Sequence, residues 1–263
     1  MASPGGRRYL HWEYWLVNTL LAGISILLAH TLLRCLYDVR MAHAVVLLLA
    51  VSPWFLYMSA NFMGHALGLT LALLALLAVE FARTHAPLRW GAVTGASLGL
   101  LFLARPMEGI LISLATALRI LGVGGQRPPL KIIITIAIGG ILVGSVIFPY
   151  NQLLTGDPLY PPQLKWTETT WYPGVDRLGF GPDIGNVNWP HQDPLPGHGP
   201  IDVLLDANKN FYATSFELYG WSFGSLLFVM LAFLLGSWKR RDWLFWSIIF
   251  VFIAGHSLYW SPG

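Results

Sequence analysis

Charge is scarce in this chain. Only 11% of its residues are Asp, Glu, Lys or Arg, against roughly a quarter in soluble globular domains. Cysteine is scarcer still. Cys35 stands alone, so no disulfide can close within the chain, and neither a CxxC redox pair nor a Cys/His zinc spacing exists. There is no glycine-rich phosphate loop and no internal repeat. The opening "MASPGGRRYLHWEYW" runs into an apolar stretch without a small-residue cleavage site, so a cleaved leader is not expected.

What is abundant is apolar. Hydrophobic residues make up 55% of the sequence, and the mean hydropathy is +0.58. That balance predicts an integral membrane protein. The net charge of +3 then gives no reason to expect a nucleic-acid partner. The basic residues are informative through their positions relative to the spans.

Eight apolar segments can be read, at about 14–33, 42–57, 62–81, 90–104, 107–121, 130–148, 218–238 and 243–260. Arg34 and Arg40 fall between the first two. Arg83 and Arg89 follow the third, Arg119, Arg127 and Lys131 separate the fifth from the sixth, and Lys239, Arg240 and Arg241 separate the last two. Every second connection is basic and is expected to be cytoplasmic. The long stretch 150–217 holds eight acids (Asp157, Glu168, Asp176, Asp183, Asp193, Asp202, Asp206 and Glu217) against three bases (Lys165, Arg177 and Lys209), and is expected to face outward. This topology puts Met1 outside, with Arg7 and Arg8 on the unfavoured side, and a missing upstream part is expected.

The predicted fold is all-α: a polytopic transmembrane helical bundle of about eight membrane segments, with one long outer loop forming a partly helical cap. Residues 1–150 carry the first six segments, 151–217 the extracytoplasmic aromatic and proline-rich loop, and 218–263 the last two segments. At "FPYNQLLTGDPLYPP" Pro149 is expected to stop the sixth helix near the membrane surface. Gly156 and Asp157–Pro158 supply turn chemistry, and "PLYPP" favours an extended path. The loop beyond is too long for a simple connection and too aromatic for disorder. Its last part, about 201–219, reads as an interfacial helix with Phe211, Tyr212, Phe216 and Leu218 near the membrane.

Four phrases resemble a known family, in the right order. "SPWFLYMSANFMGH" (52–65) is similar to the "SPFF…S…H" phrase of polytopic GT-C glycosyltransferases. "GASLGLLFLARPMEGI" (95–110) resembles their "G…G…RP" helix pair, "YNQLLTGDPLYPP" their "N…TG.P…P" exit, and "LYW" (258–260) the start of their late aromatic motif. The branch is the one that is protein O-mannosyltransferase-like and aminoarabinose-transferase-like.

The resemblance implies a helical bundle with an outer-face active site. It implies transfer of a sugar from a polyprenyl-phosphate carrier to an acceptor, usually with inversion. The family's catalytic acids lie in a first outer loop between its first two spans. Here the first apolar segment looks like the family's third span, Glu13 is the only acid before Asp38, and "HSLYWSPG" breaks off where the family continues. A fragment, or a shortened relative, is the expectation, and the catalytic residue is unknown.

The donor phosphate has three candidate contacts. Arg105 lies between two short apolar helices, on the side otherwise poor in bases, and guanidinium can grip phosphate with two hydrogen bonds. The plainer alternative is a pairing with Glu108, three residues on. His65 follows the turn "MSANFMG", where it would bond phosphate or sugar, or simply cap and pack. Lys209 would meet a phosphate, or lie on a solvated helix face. Candidates for sugar or acceptor contact are Asp157, Asn208 and Asn210, although Asp157 also serves as a turn former. His191 and His198 with Asp193 and Asp202 match no metal-ligand spacing, so no metal is assigned, no cofactor is expected, and a divalent cation lacks support. The tryptophans read mostly as interface anchors.

Inverting transfer to a hydroxyl needs a base for the acceptor proton. Asp202, Asp206 and Glu217 are available, and nothing singles one out. The expected partners are a lipid-linked sugar, an acceptor that is a protein or a glycan, and membrane lipids. The alternative reading is a non-catalytic membrane binding or scaffold protein with the same fold. A small transporter is a weaker third reading, because no span carries paired charges at mid-depth.

Overall fold

A computed structural model describes residues 14–175, 177–185, 195, 197–217, 225–236, 239–257 and 259. The expectations placed on Arg7, Arg8, Glu13, Asp176, His191, Asp193 and Leu218 lie outside these residues. The helices follow in order: α1 (Tyr14–Leu36), α2 (Val39–Ala50), α3 (Pro53–Ala60), α4 (His65–Thr84), α5 (Pro87–Ala104) and α6 (Pro106–Ile120). Then come α7 (Leu130–Gly144), α8 (Ile147–Thr155), α9 (Pro162–Thr170), α10 (Pro200–Glu217), α11 (Ser225–Leu235), a 3-10 turn at Arg240–Asp242 and α12 (Trp243–His256). Among the described residues the β-structure is a single bridge, Gly181 to His198.

Proline sets many of the starts. It opens α3, α5, α6, α9 and α10, where its missing N–H is no loss and its fixed φ suits the first turn. Asp38 caps α2, its Oδ1 accepting from the amides of Arg40 and Met41 at 2.9 Å each.

Each expected apolar segment contains a helix. Among the described residues four helical stretches are long and apolar enough to cross a membrane: 16–36, 65–84, 87–104 and 130–155. A fifth span is possible by length if α2 and α3, bent by 60° at their junction, count as one. The bend falls where Pro53 cannot continue a helix from Val51 and Ser52. The described parts of α6, α11 and α12, at 15, 11 and 14 residues, are shorter.

The structure corrects the expected stop at Pro149. Proline stands third in α8, in the first turn, where the amides have no intrahelical acceptor anyway. The helix instead runs to Thr155 and ends at Gly156, whose φ of 85° is the left-handed conformation that favours glycine. The path beyond is also less extended than "PLYPP" predicts. Asp157 Oδ1 accepts from the Leu159 amide at 2.8 Å, and the Tyr160 amide reaches the Asp157 carbonyl at 3.3 Å, so 157–160 is a turn.

The chain divides into two compact units, Met1–Gly109 with Pro128–Ile141, and Ile110–Arg127 with Leu142–Gly263. In the first unit α4 packs against α1 and α5, with 61% of its apolar window buried. Leu32 of α1, Ala75 and Val79 of α4, and Leu101 of α5 lie in this core. Ser25 and Thr70 join α1 to α4 by a buried hydroxyl pair at 2.8 Å. Small residues let α5 approach the 130–141 stretch: a Cβ on Gly95 would lie 2.8 Å from the Gly140 amide nitrogen.

In the second unit, Gly255 of α12 sits over Leu111, where a Cβ would meet Leu111 Cδ1 at 2.9 Å. The Arg240 guanidinium donates to the Gly122 carbonyl at 3.3 Å and so ties together two connections 118 residues apart. His198 is buried, stacks on Phe180 at 5.2 Å between ring centres, and holds the bridge to Gly181.

Candidate functional site

The site is built on a break between helices. Arg105 ends α5 and Pro106 begins α6. A residue before proline is pushed out of helical geometry, and Arg105 has φ −148° and ψ 86°. Its amide still donates to Leu101 O at 2.7 Å, and its carbonyl accepts from Gly109 N at 2.8 Å, so it serves both helices. The elbow is tight. A Cβ on Gly109 would lie 2.6 Å from the Phe102 amide nitrogen.

The Arg105 side chain folds back over the amino end of α4. Gly68 leaves room for its stem, since a Cβ there would come 3.1 Å from Arg105 Cδ. Nε donates to Glu108 Oε1 at 2.6 Å, and Nη2 forms an ion pair with the same oxygen. Nη1 donates to His65 Nδ1 at 2.8 Å. Guanidinium has no acceptor, so His65 Nδ1 must accept and its ring proton sits on Nε2. The three contacts leave two of the five guanidinium N–H groups without a partner among the described residues. The side chains of Arg105 and Glu108 are 27% and 22% exposed, which permits access yet strips away most competing water.

The turn ahead of His65 is held from α1. Asn18 Nδ2 donates to the carbonyls of Asn61 at 2.6 Å and Met63 at 3.0 Å. Asn61 Oδ1 in turn accepts from Met63 N at 2.9 Å. Asn18 is a positioning residue that the sequence reading passed over. The available signal was spacing: Asn18 and Ser25, seven apart in an apolar run, fall on one helical face.

The structure thus brings Arg105 and His65 together, with Glu108 between. The remaining candidates belong to the second unit. Lys209 on α10 pairs with Asp206 at 3.7 Å. Asn208, Lys209 and Asn210 are consecutive on that helix, so they spread around it rather than share a face. Asn208 is exposed, and Asn210 turns toward α11 and α12. Asp157 makes the turn described above. Asp202 is buried, and its Oδ2 accepts from Gly199 N at 2.7 Å at the start of α10.

A second polar hub organises the start of the long loop. Glu168 accepts from Tyr160 Oη at 2.5 Å, Arg177 Nε at 2.7 Å and Gly174 N at 3.2 Å. The Tyr160 hydroxyl, foremost, then Arg177 and the Gly174 amide hold the Glu168 carboxyl below the usual carboxylate range, against the opposing effect of burial. The same bond to Glu168 pushes the Tyr160 phenol up.

The sequence model of the dolichyl-phosphate-mannose-protein mannosyltransferase family matches residues 9–150, just over half of the chain. The chain belongs to that family. The match takes in His65, Arg105 and Glu108 and ends before Asp157 and α10. No curated protein and no solved structure matches the chain. Family and apolar helices together make this a membrane glycosyltransferase of the mannosyltransferase type, integral to its membrane.

Proposed function

We propose that this member of the family draws its sugar from a polyprenyl-phosphate donor and that Arg105 grips the donor phosphate. The observation that carries the reading is the Arg105 guanidinium, fixed by Glu108 and His65 at a helix break with donors to spare. Arginine held this way is preorganised for the developing charge on a phosphate leaving group. His65 Nε2–H supplies a neutral donor on the same side. Lys209, Asn208, Asn210 and Asp157 remain proposals for later contacts to phosphate, sugar or acceptor.

The acceptor is a hydroxyl of a protein or glycan, reached at the outer face. The alternation of basic connections supports that sidedness, with residues 151–217 outside a plasma-type membrane. Glu108 is committed to Arg105, so it is a poor base for the acceptor proton.

The test is binding of a polyprenyl-phosphate mannose to the full chain in nanodiscs, by calorimetry. Arg105→Ala should weaken it about ten- to hundredfold, the weight of a charge-assisted hydrogen bond. A variant that melts like the parent and binds equally well would overturn the phosphate role. Donor binding without transfer to any acceptor would favour a binding protein of the same fold.

A further inference from the structure

The second unit contains a cavity that the donor reading does not use. Its volume is about 350 Å³, within the roughly 300–1,000 Å³ range of small-molecule sites. Ala207 and Phe211 of α10, Leu226 and Val229 of α11, and Ile249 and Phe252 of α12 line it. The described stretch of α11 carries no polar side chain after Ser225, and α12 is apolar from Ile248 to Gly255. Helices of this kind, apolar on every side, belong in hydrocarbon or in a core.

Three polar residues border this lining, Asn210, His256 and Ser257. Asn210 borders the cavity, and its Oδ1 is buried without a hydrogen-bond partner among the described residues. Ser257, at the same wall, already donates to Ala254 O at 2.6 Å. A buried acceptor left unmade is costly, and a ligand that donates to it removes the cost. At Asn210 Oδ1 itself a phosphate head would bring acceptors up to an acceptor, whereas a hydroxyl or amide N–H satisfies it.

We propose that this cavity binds the hydrocarbon chain of a membrane lipid that carries a hydrogen-bond donor, a hydroxyl or an amide N–H, at the head of that chain. The chain fills the space between α10, α11 and α12, and the head group donates to Asn210 Oδ1. This lipid is distinct from the polyprenyl-phosphate donor. The inference rests on the membrane character of the helices and not on Arg105, so the two can fail separately.

The test uses two photoreactive probes with the full chain in nanodiscs: a diazirine-bearing alkyl alcohol and its O-methyl ether. The alcohol should label peptides of α10 and α12 about three- to tenfold more than the ether, the weight of one hydrogen bond. Asn210→Leu should abolish that preference while leaving ether labelling in place. Ala207→Phe should suppress both probes by filling the space. Should Ala207→Phe fail to fold, the alcohol-to-ether ratio in Asn210→Leu still decides. Equal labelling by both probes in the parent would overturn the proposal. So would displacement of the alcohol by polyprenyl phosphate at matched concentration, which would make the cavity a tail site for the donor.

Discussion

Two charged hubs in this molecule are built on opposite plans. Around Glu168 a carboxylate sits at the centre and three donors converge on it, from Tyr160, Gly174 and Arg177. Around Arg105 a cation sits at the centre, and one carboxylate and one imidazole take only part of its donor set. The first hub is spent on holding a loop together. The second is held in place by its neighbours and keeps capacity for something else. A charge with unspent hydrogen-bonding groups, costly to keep among apolar helices, is the one to examine for ligand chemistry.

Exchanging the readouts of the two hubs is the strongest way to break this contrast. Arg105→Ala should abolish most donor binding while leaving amide protection across 157–177 unchanged. Glu168→Gln should do the reverse. It should raise hydrogen exchange in that loop about tenfold, as charge-assisted bonds are weakened, with donor affinity intact. Equal effects of both substitutions on donor affinity would erase the distinction.

Acid should sharpen it. The Glu168 carboxyl is held below its usual range, so its stabilising contribution is fully present above the unfolded-state pKa and is lost as pH falls through the lower folded value. Loop protection, corrected for the intrinsic pH dependence of exchange, should therefore be undiminished above the ordinary carboxylate range, decline as pH falls through it, and be fully lost only below the lower folded value. Loss already near neutral pH would contradict the assignment of Glu168 as the hub.

Smaller effects probe how the Arg105 site is held. Asn18→Leu removes both tethers to the 61–63 turn and should cost about 1–2 kcal/mol in thermal unfolding. Its effect on donor affinity should be a few-fold, transmitted through His65, about the size of a fraction of one hydrogen bond. Gly68→Ala is the mildest. The added Cβ meets Arg105 Cδ at 3.1 Å, a flexible stem that can give way, so the cost should stay below about 1 kcal/mol. A large loss there would mean that the Arg105 stem has no room to adjust.

The helices were legible because apolar runs and prolines mark them directly. A helix stands where one was expected near 201–219: α10, Pro200–Glu217. The pairing of Arg105 with Glu108 was legible too, because three residues on a helix bring side chains together. Pro149 misled because a proline ends one helix or opens the next depending on where the first turn falls, and one residue type does not carry that information. Contacts across the chain were out of reach for a different reason. His65 meets Arg105 over 40 positions and Asn18 meets Asn61 over 43, and no local period encodes either.

The Gly109–Phe102 contact gives the elbow a further meaning. Any side chain at 109 would run its Cβ into the Phe102 backbone, so glycine there is a condition of the tight turn between Phe102 and Gly109. Glu108 is the neighbouring residue, and a larger residue at 109 would have to shift it. One absent methyl group thus helps fix how closely a carboxylate sits against the guanidinium, and so how much of the arginine's charge an incoming anion would feel.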